Sequence, residues 1–177
     1  DGWVRQPKLL LDRLDGQAVQ VALLLDGAFA APRFEYRLTA PWIAYGTTRL
    51  TGVEAVGSGL ASRNTMQIPL RLRVATVTGI GTLAQGLVRN LSADGVIAWR
   101  DGLLSSDGIA VRSAGLNGRV VLRADTGSGA ATVGFDGALP GFEVAGLGRV
   151  DLLANISARR GAGGGAGKVF FDSRFAA

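Results

Sequence analysis

The sequence predicts an all-β fold, a long antiparallel meander with one apolar face and at most one or two short helices. The clearest strand is the stretch from Met66 to Val77, in which apolar and polar side chains alternate. A period of two places its apolar side chains on one face and Arg71 and Arg73 on the other. Pro69 cannot donate a backbone hydrogen bond, so we expect it to face an unpaired edge or a bulge.

Turn signals between alternating stretches support the meander. Glycine accounts for 27 of the 177 residues, which fits many turns and bulges. Asp-Gly and Asn-Gly pairs favour tight hairpins, because both residues tolerate positive φ. Such pairs begin at Asp26, Asp94, Asp101, Asp107, Asn117 and Asp136.

Alternation assigns the remaining strands, and its interruptions assign the connections. The predicted strands are 17–25, 33–40, 47–56, 66–77, 92–99, 108–112, 116–123, 131–135, 149–157 and 169–175. We expect breaks at 41–43 and 139–141, a loop at 57–64 and a short helix at 82–91. Residues 7–14 are a second candidate for a short helix.

The apolar positions of these strands form the candidate functional surface, the lining of a groove. The predicted lining residues are Val19, Val21, Leu23, Phe34, Tyr36, Leu38, Met66, Ile68, Leu70, Leu72, Val74, Val120, Leu122, Val133, Phe135, Val150, Leu152 and Ile156. A filled sandwich or barrel core would use the same residues. The scarcity of large aromatic side chains among them favours a face left partly open, but composition leaves both arrangements open.

Composition excludes several kinds of chemistry. The chain contains no cysteine and no histidine, which rules out disulfides, thiol catalysis and histidine-bound metal. A serine nucleophile would have no histidine to activate it. We therefore expect no enzyme activity, no cofactor and no metal. The net charge is +5, but the arginines are dispersed singly, which indicates a solvated outer face rather than a nucleic-acid site.

Two glycine-rich motifs resemble nucleotide-binding loops. The segment 161–168 fails as a phosphate loop, because Ala162 and Val169 occupy the positions of a required glycine and a required Ser or Thr. The segment 79–84 fits the pattern G-x-G-x-x-A of dinucleotide-binding sites. The strand before it alternates, however, whereas a parallel strand of that fold is apolar on both faces. A tight strand-to-helix corner is the favoured interpretation, and a dinucleotide-binding enzyme is the weakest functional hypothesis.

Several longer motifs resemble YdbH-like proteins, members of the AsmA-like family together with TamB and YhdP. The motifs are P-R-F-E-Y-R-L-T-A-P-W-I-A at 32–44, I-P-L-R-L-R-V-A-T-V-T-G-I-G at 68–81, L-V-R-N-L-S-A-D-G-V at 87–96, S-A-G-L-N-G-R-V-V-L at 113–122 and P-G-F-E-V-A-G-L-G-R-V-D at 140–151. The resemblance implies a β-taco, a long periplasmic sheet folded into a groove with an apolar interior. It further implies phospholipid transport between the inner and outer membranes, an inner-membrane anchor and a small outer-membrane lipoprotein that extends the sheet. The family offers no catalytic residues.

These observations predict the organisation of the chain. We expect residues 1–177 to form a single β-taco segment of a larger protein, because the chain begins at Asp1 without a methionine. No apolar run is long enough to cross a membrane as a helix, so the anchor would lie outside this segment. Residues 158–168 are expected to form a flexible Gly-rich loop. The alternative function is an outer-membrane or surface assembly factor that acts through an exposed sheet edge.

Overall fold

The computed structural model describes residues 2–4, 14–28, 31–62, 65–80, 88–144, 146, 148–162 and 168–175. Strands make up 83% of this part of the chain, which contains no α-helix, so the predicted all-β meander is confirmed. The strands are β1 (Gly2–Val4), β2 (Leu14–Gln17), β3 (Val19–Asp26), β4 (Arg33–Tyr45), β5 (Thr48–Leu60), β6 (Thr65–Thr78), β7 (Arg89–Arg100), β8 (Leu103–Ser113), β9 (Leu116–Asp125), β10 (Ala131–Val144), β11 (Gly148–Arg160) and β12 (Lys168–Phe175).

All twelve strands belong to one open antiparallel sheet. From β3 to β12 their spatial order follows the chain, so each strand pairs with its predecessor and its successor. β1 pairs with β3, whereas β2 pairs with β4. β2 and β3 lie end to end along the same edge of β4, separated by Ala18.

The sheet is a single layer over the part of the chain that the structure describes. Wherever two strands make more than occasional backbone contacts, these strands are neighbours in the sheet. The buried side chains form three small clusters, the first around Val74, the second around Ile109 and the third around Leu152. This arrangement differs from a filled sandwich, in which a second sheet would pack about 10 Å away.

Two predicted breaks are wrong, because strands continue through prolines. β4 runs through Pro41, whose neighbours in the register are Ala18 and Gly52. Both neighbours have positive φ, 47° for Ala18 and 58° for Gly52. The adjoining backbones therefore bend where Pro41 has no N–H to donate. β10 likewise continues past Pro140, with a bulge in its pairing to β11.

Three predicted connections also change. β5 continues through Leu60 into the predicted loop at 57–64. Residues 89–91 of the predicted helix lie in β7 and pair with β6, and residues 82–87 lie outside the described residues. Leu14 of the other predicted helix lies in β2, and residues 7–13 lie outside the described residues. Cross-strand pairing explains why the described residues 14 and 89–91 are extended.

The predicted Gly-rich loop is shorter than 158–168. β11 extends to Arg160 and β12 begins at Lys168, because Ala158 and Arg159 pair with Val169 and Lys168. Residues 163–167 lie outside the described residues, so the predicted flexibility of this loop stays a prediction.

A line of irregular residues crosses the first half of the sheet, and we call it the crease. The crease residues lie next to one another across the strands, as the paired residues on either side of them show. They are Ala18, Pro41, Gly52, Ala75 and Asn90. The first, third and fifth have positive φ, at 47°, 58° and 51°. A residue in this conformation reverses the alternation of faces along its strand.

The reversal at the crease keeps the apolar face continuous. Along β6, the next buried apolar side chain after Val74 is that of Val77, which lies three residues further along the strand instead of two. The same three-residue spacing separates Leu50 and Val53 on the apolar side of β5. These four side chains contribute to one apolar cluster, so the crease bends the sheet without moving apolar side chains to the opposite face.

Candidate functional site

The strand register brings the predicted lining residues onto one continuous face, which we call the inner face. Residues directly opposed on neighbouring strands point to the same side of a sheet. One row of opposed residues crosses nine strands, and every member is apolar or glycine. The row is Val21, Leu38, Ala55, Leu72, Ala93, Val111, Gly118, Gly137 and Ala154.

The other predicted lining residues join this face through the rows beside it. Leu23 pairs with Tyr36, and Ile68 alternates with Leu70 and Leu72 along β6. Further opposed pairs extend the face toward β11. They are Val120 with Phe135, Leu122 with Val133, Phe135 with Ile156, Leu139 with Leu152, and Phe142 with Val150.

Most of the inner face is only half-buried. Of the predicted lining residues, Val19, Phe34, Val74 and Leu152 are buried. Leu23 is 57% exposed and Val133 is 38% exposed, and the other predicted lining residues are half-buried. Because no second layer of described residues packs on this face, its partial cover comes from neighbouring side chains of the same sheet.

Glycines allow β9 and β10 to approach each other closely on the inner face. Side chains on opposed residues of a regular sheet have Cβ atoms about 4.5–5.5 Å apart. A Cβ built on Gly137 would lie 2.6 Å from the Cα of Gly118, and would also collide with the carbonyl oxygen of Asn117. The backbones of β9 and β10 are therefore too close at this point for a side chain on Gly137.

Aromatic rings lie across these glycines. Ring atoms of Phe135 come within 2.7 Å of the Cβ position of Gly118 and within 2.8 Å of that of Gly137. Phe34 and Tyr36 stack at 6.4 Å between ring centroids and lie over Gly59 and Gly57. The rings therefore lie along the face and leave the space above it clear. The sequence analysis did not single out these glycines. Their spacing was a usable signal, because glycines and aromatic residues both recur at intervals of two residues in these strands.

Pro69 marks a gap in the hydrogen-bonded ladder. The pairing of β5 with β6 stops at Val56 and Arg71 and returns only as an isolated bridge between Ala61 and Met66. The expectation that Pro69 faces an unpaired edge is therefore confirmed on its β5 side. The hydroxyl of Tyr36 donates to the carbonyl oxygen of Pro69 at 2.9 Å, and burial raises the pKa of Tyr36.

The opposite face, which we call the outer face, carries charged side chains together with exposed apolar ones such as Leu24, Val121 and Leu153. Arg71 and Arg73 are exposed there, as expected. Arg71 lies 3.6 Å from the carboxylate of Asp94, and Arg37 lies 2.8 Å from that of Glu54. Both ion pairs are well exposed, and such pairs contribute about 0–1 kcal/mol. The two faces therefore differ in charge, because the charged side chains alternate with the inner-face residues along the strands.

The described residues offer little for catalysis or metal binding. None of them form a group of three or more residues of the kind that could hold a metal ion. Ser106 is buried, but its hydroxyl donates to the carbonyl oxygen of Val96 at 2.8 Å. The motif at 79–84 begins at Gly79, whose φ of 78° fits a turn, and residues 81–84 lie outside the described residues. An antiparallel strand before it does not match the parallel dinucleotide-binding unit.

Comparison with known proteins found no matching family model, no matching curated protein and no matching solved structure. Within the described residues, no helix has the length and apolar character needed to cross a membrane. The inner face, with its apolar lining and partial exposure, is the feature from which a function can be argued.

Proposed function

We propose that this chain is a segment of a periplasmic bridge protein that shields phospholipid acyl chains during transport between the inner and outer membranes. The observation that supports the proposal is the inner face itself. It is apolar across nine strands, half-exposed and without a second layer among the described residues. Exposed apolar surface of this extent usually has a partner, and acyl chains match its chemistry.

Transfer of an acyl chain onto this face is energetically reasonable. Each CH₂ group removed from water contributes about 0.8 kcal/mol, so several carbons in contact with the sheet offset much of the cost of leaving a bilayer. The lining side chains are mostly Val, Leu, Ile and Ala, which present a smooth surface without a charged group. A lipid can therefore move along the face without a strong site that stops it, while its headgroup stays in water.

The partners follow from the same proposal. The inner membrane would hold the protein through an anchor outside this segment. A small outer-membrane lipoprotein would extend the sheet, because the sheet is open and ends at strands that can accept a further neighbour.

Native mass spectrometry of the protein purified from cells tests the proposal. We expect masses that correspond to one or more bound phospholipids, released by collisional activation. A protein that carries no lipid, and that also takes up none from vesicles, would contradict the proposal. A bound nicotinamide cofactor would favour the dinucleotide-binding hypothesis instead.

The sheet edge at β3 supports a second candidate function, assembly of another protein by strand addition. Leu23, Leu24 and Leu25 are 57%, 61% and 60% exposed, and β1 pairs only with Val19, Gln20 and Val21. An exposed apolar edge is a template for a further strand. In the same mass spectrometry experiment, this function predicts a bound polypeptide in place of lipid.

A further inference from the structure

A cavity of about 840 Å³ lies at one end of the sheet, and we call it the end cavity. It is formed where β5 ends, β6 begins, β7 ends and β8 begins. Its volume lies within the range of about 300–1,000 Å³ that is typical of sites for small organic ligands. The transport proposal does not assign a role to it.

The end cavity combines apolar side chains with one positive charge. Leu60 and Leu103 line it and are 60% and 46% exposed, and Met66 and Trp99 line it as well. Arg100 is the one charged residue among the described residues that line it. Neither of the two described ion pairs includes Arg100, so no carboxylate described here neutralises it.

The register places Arg100 on the outer face, next to the last pair of the inner face, and residues of both faces line the end cavity. Met66 pairs with Trp99, and this is the last inner-face pair of β6 and β7 at this end of the sheet. The next pair, Thr65 with Arg100, points to the outer face, because successive side chains alternate. A molecule seated in the end cavity can therefore contact the end of the apolar face and a guanidinium group together.

The neighbouring turn holds the wall of the end cavity in place. The backbone N–H of Ser62 donates to the carbonyl oxygen of Thr65 at 2.9 Å. The hydroxyl of Ser62 donates to the same oxygen at 2.7 Å. These hydrogen bonds fix the start of β6, so Thr65 and Met66 have defined positions at the rim.

We propose that the end cavity binds the anionic headgroup of an amphiphile. Arg100 contacts its phosphate or carboxylate oxygens, and Met66 and Trp99 contact the first carbons of its tail. Guanidinium groups suit such oxygens because they donate several hydrogen bonds in one plane. This inference rests on the proposed transport function and adds to it a place where the headgroup is recognised before or after the tail lies on the inner face.

Binding measurements with matched variants test the end cavity. The variant is Arg100→Gln, and the control is Arg123→Gln, which removes another exposed arginine that does not line the cavity. The probes are fluorescent phosphatidylglycerol, a fluorescent fatty acid, and fluorescent diacylglycerol, which has no anionic group. We expect Arg100→Gln to weaken binding of the two anionic probes about tenfold, since hydrogen bonds to charged groups contribute at that level. Diacylglycerol binding and the control should not change.

The outcomes separate this inference from the transport proposal. If anionic and neutral probes bind and Arg100→Gln changes neither, the end cavity is not a headgroup site, whereas the transport proposal stands. If Arg123→Gln has the same effect as Arg100→Gln, general charge attraction replaces a defined site. If inorganic phosphate binds as well as the anionic lipid and displaces it, the site takes a free anion and the inference is wrong. If no probe binds at all, both proposals fail.

Discussion

Tyr36 stabilises the sheet at the place where its hydrogen-bonded ladder is incomplete. Pro69 cannot donate toward β5, and the pairing of β5 with β6 is interrupted there. The Tyr36 hydroxyl donates to the Pro69 carbonyl, and its ring lies against Gly57. A side chain thus connects β4 to β6 across β5, and this contact exists because Gly57 has no side chain to obstruct it.

Tyr36→Phe should lower the free energy of unfolding by about 1 kcal/mol, because it removes one hydrogen bond and keeps the ring. Urea denaturation followed by circular dichroism measures the change. Tyr45→Phe is the matched control, since Tyr45 is 51% exposed and none of the described hydrogen bonds uses its hydroxyl. Equal effects of the two substitutions would contradict the role of the Pro69 contact.

Asp125 fixes the turn between β9 and β10. Its carboxylate accepts the backbone N–H groups of Ser128 at 2.8 Å and Gly127 at 2.9 Å. These hydrogen bonds, the one from Ser128 first, lower the pKa of Asp125 below its ordinary value of 3.8. This turn joins the predicted strands 116–123 and 131–135, which pair with each other in the structure.

The lowered pKa of Asp125 gives a pH dependence with a definite sign. A carboxyl group with a lower pKa in the folded state stabilises the protein above its unfolded pKa, and the effect is lost as the pH falls through the folded value. We expect stability to fall more between pH 4 and pH 2 in the native protein than in Asp125→Asn, which cannot titrate. Parallel loss of stability in both proteins would show that the turn does not contribute to the acid response.

At the scale of elements, glycine decides where neighbouring strands can approach each other closely. Gly134 and Gly137 belong to the same strand, but a Cβ on Gly134 would meet no atom within 4 Å. A Cβ on Gly137 would collide with the backbone of β9. The two positions have opposite orientations, so they separate the effect of this close approach from the general effect of replacing glycine in a strand.

Gly137→Ala should therefore destabilise the protein by about 1–3 kcal/mol, since backbone has to move to admit the methyl group. Gly134→Ala should be neutral or stabilising by up to about 1 kcal/mol, because alanine reduces the entropy of the unfolded chain. Thermal and urea denaturation of both variants provide the comparison. A similar loss in both would mean that β9 and β10 do not approach each other closely at this point.

The sequence predicted strands well where alternation is strict, and less well where the backbone reverses it. Met66 to Val77 is a strand with the predicted faces up to Val74, but the crease at Ala75 was not foreseen. Positive φ at Ala18 and Asn90 depends on pairing with distant strands, which a local pattern does not contain. For the same reason the local pattern predicts breaks at Pro41 and Pro140. β4 instead passes Pro41 between two residues with positive φ, and β10 passes Pro140 through a bulge.

At the scale of the whole molecule, the pairing of the strands into one open sheet determines which function can be proposed. The sequence left a filled core and an open groove as alternatives, because both need the same apolar positions. The single layer decides between them for the described residues, since the apolar face has no opposing sheet. The end cavity could not be predicted either, because it joins four strand ends that are separated along the chain.

If this sheet carries lipid as proposed, acyl chains contact its inner face and not its outer face, and two neighbouring positions of β6 distinguish these faces. Leu70 is half-buried on the inner face, and Arg71 is exposed on the outer face beside Asp94. A photoreactive amino acid placed at position 70 or at position 71 in cells should crosslink phospholipid from position 70 and not from position 71. Equal labelling at both positions, or labelling at position 71 alone, would contradict the transport function proposed for this sheet.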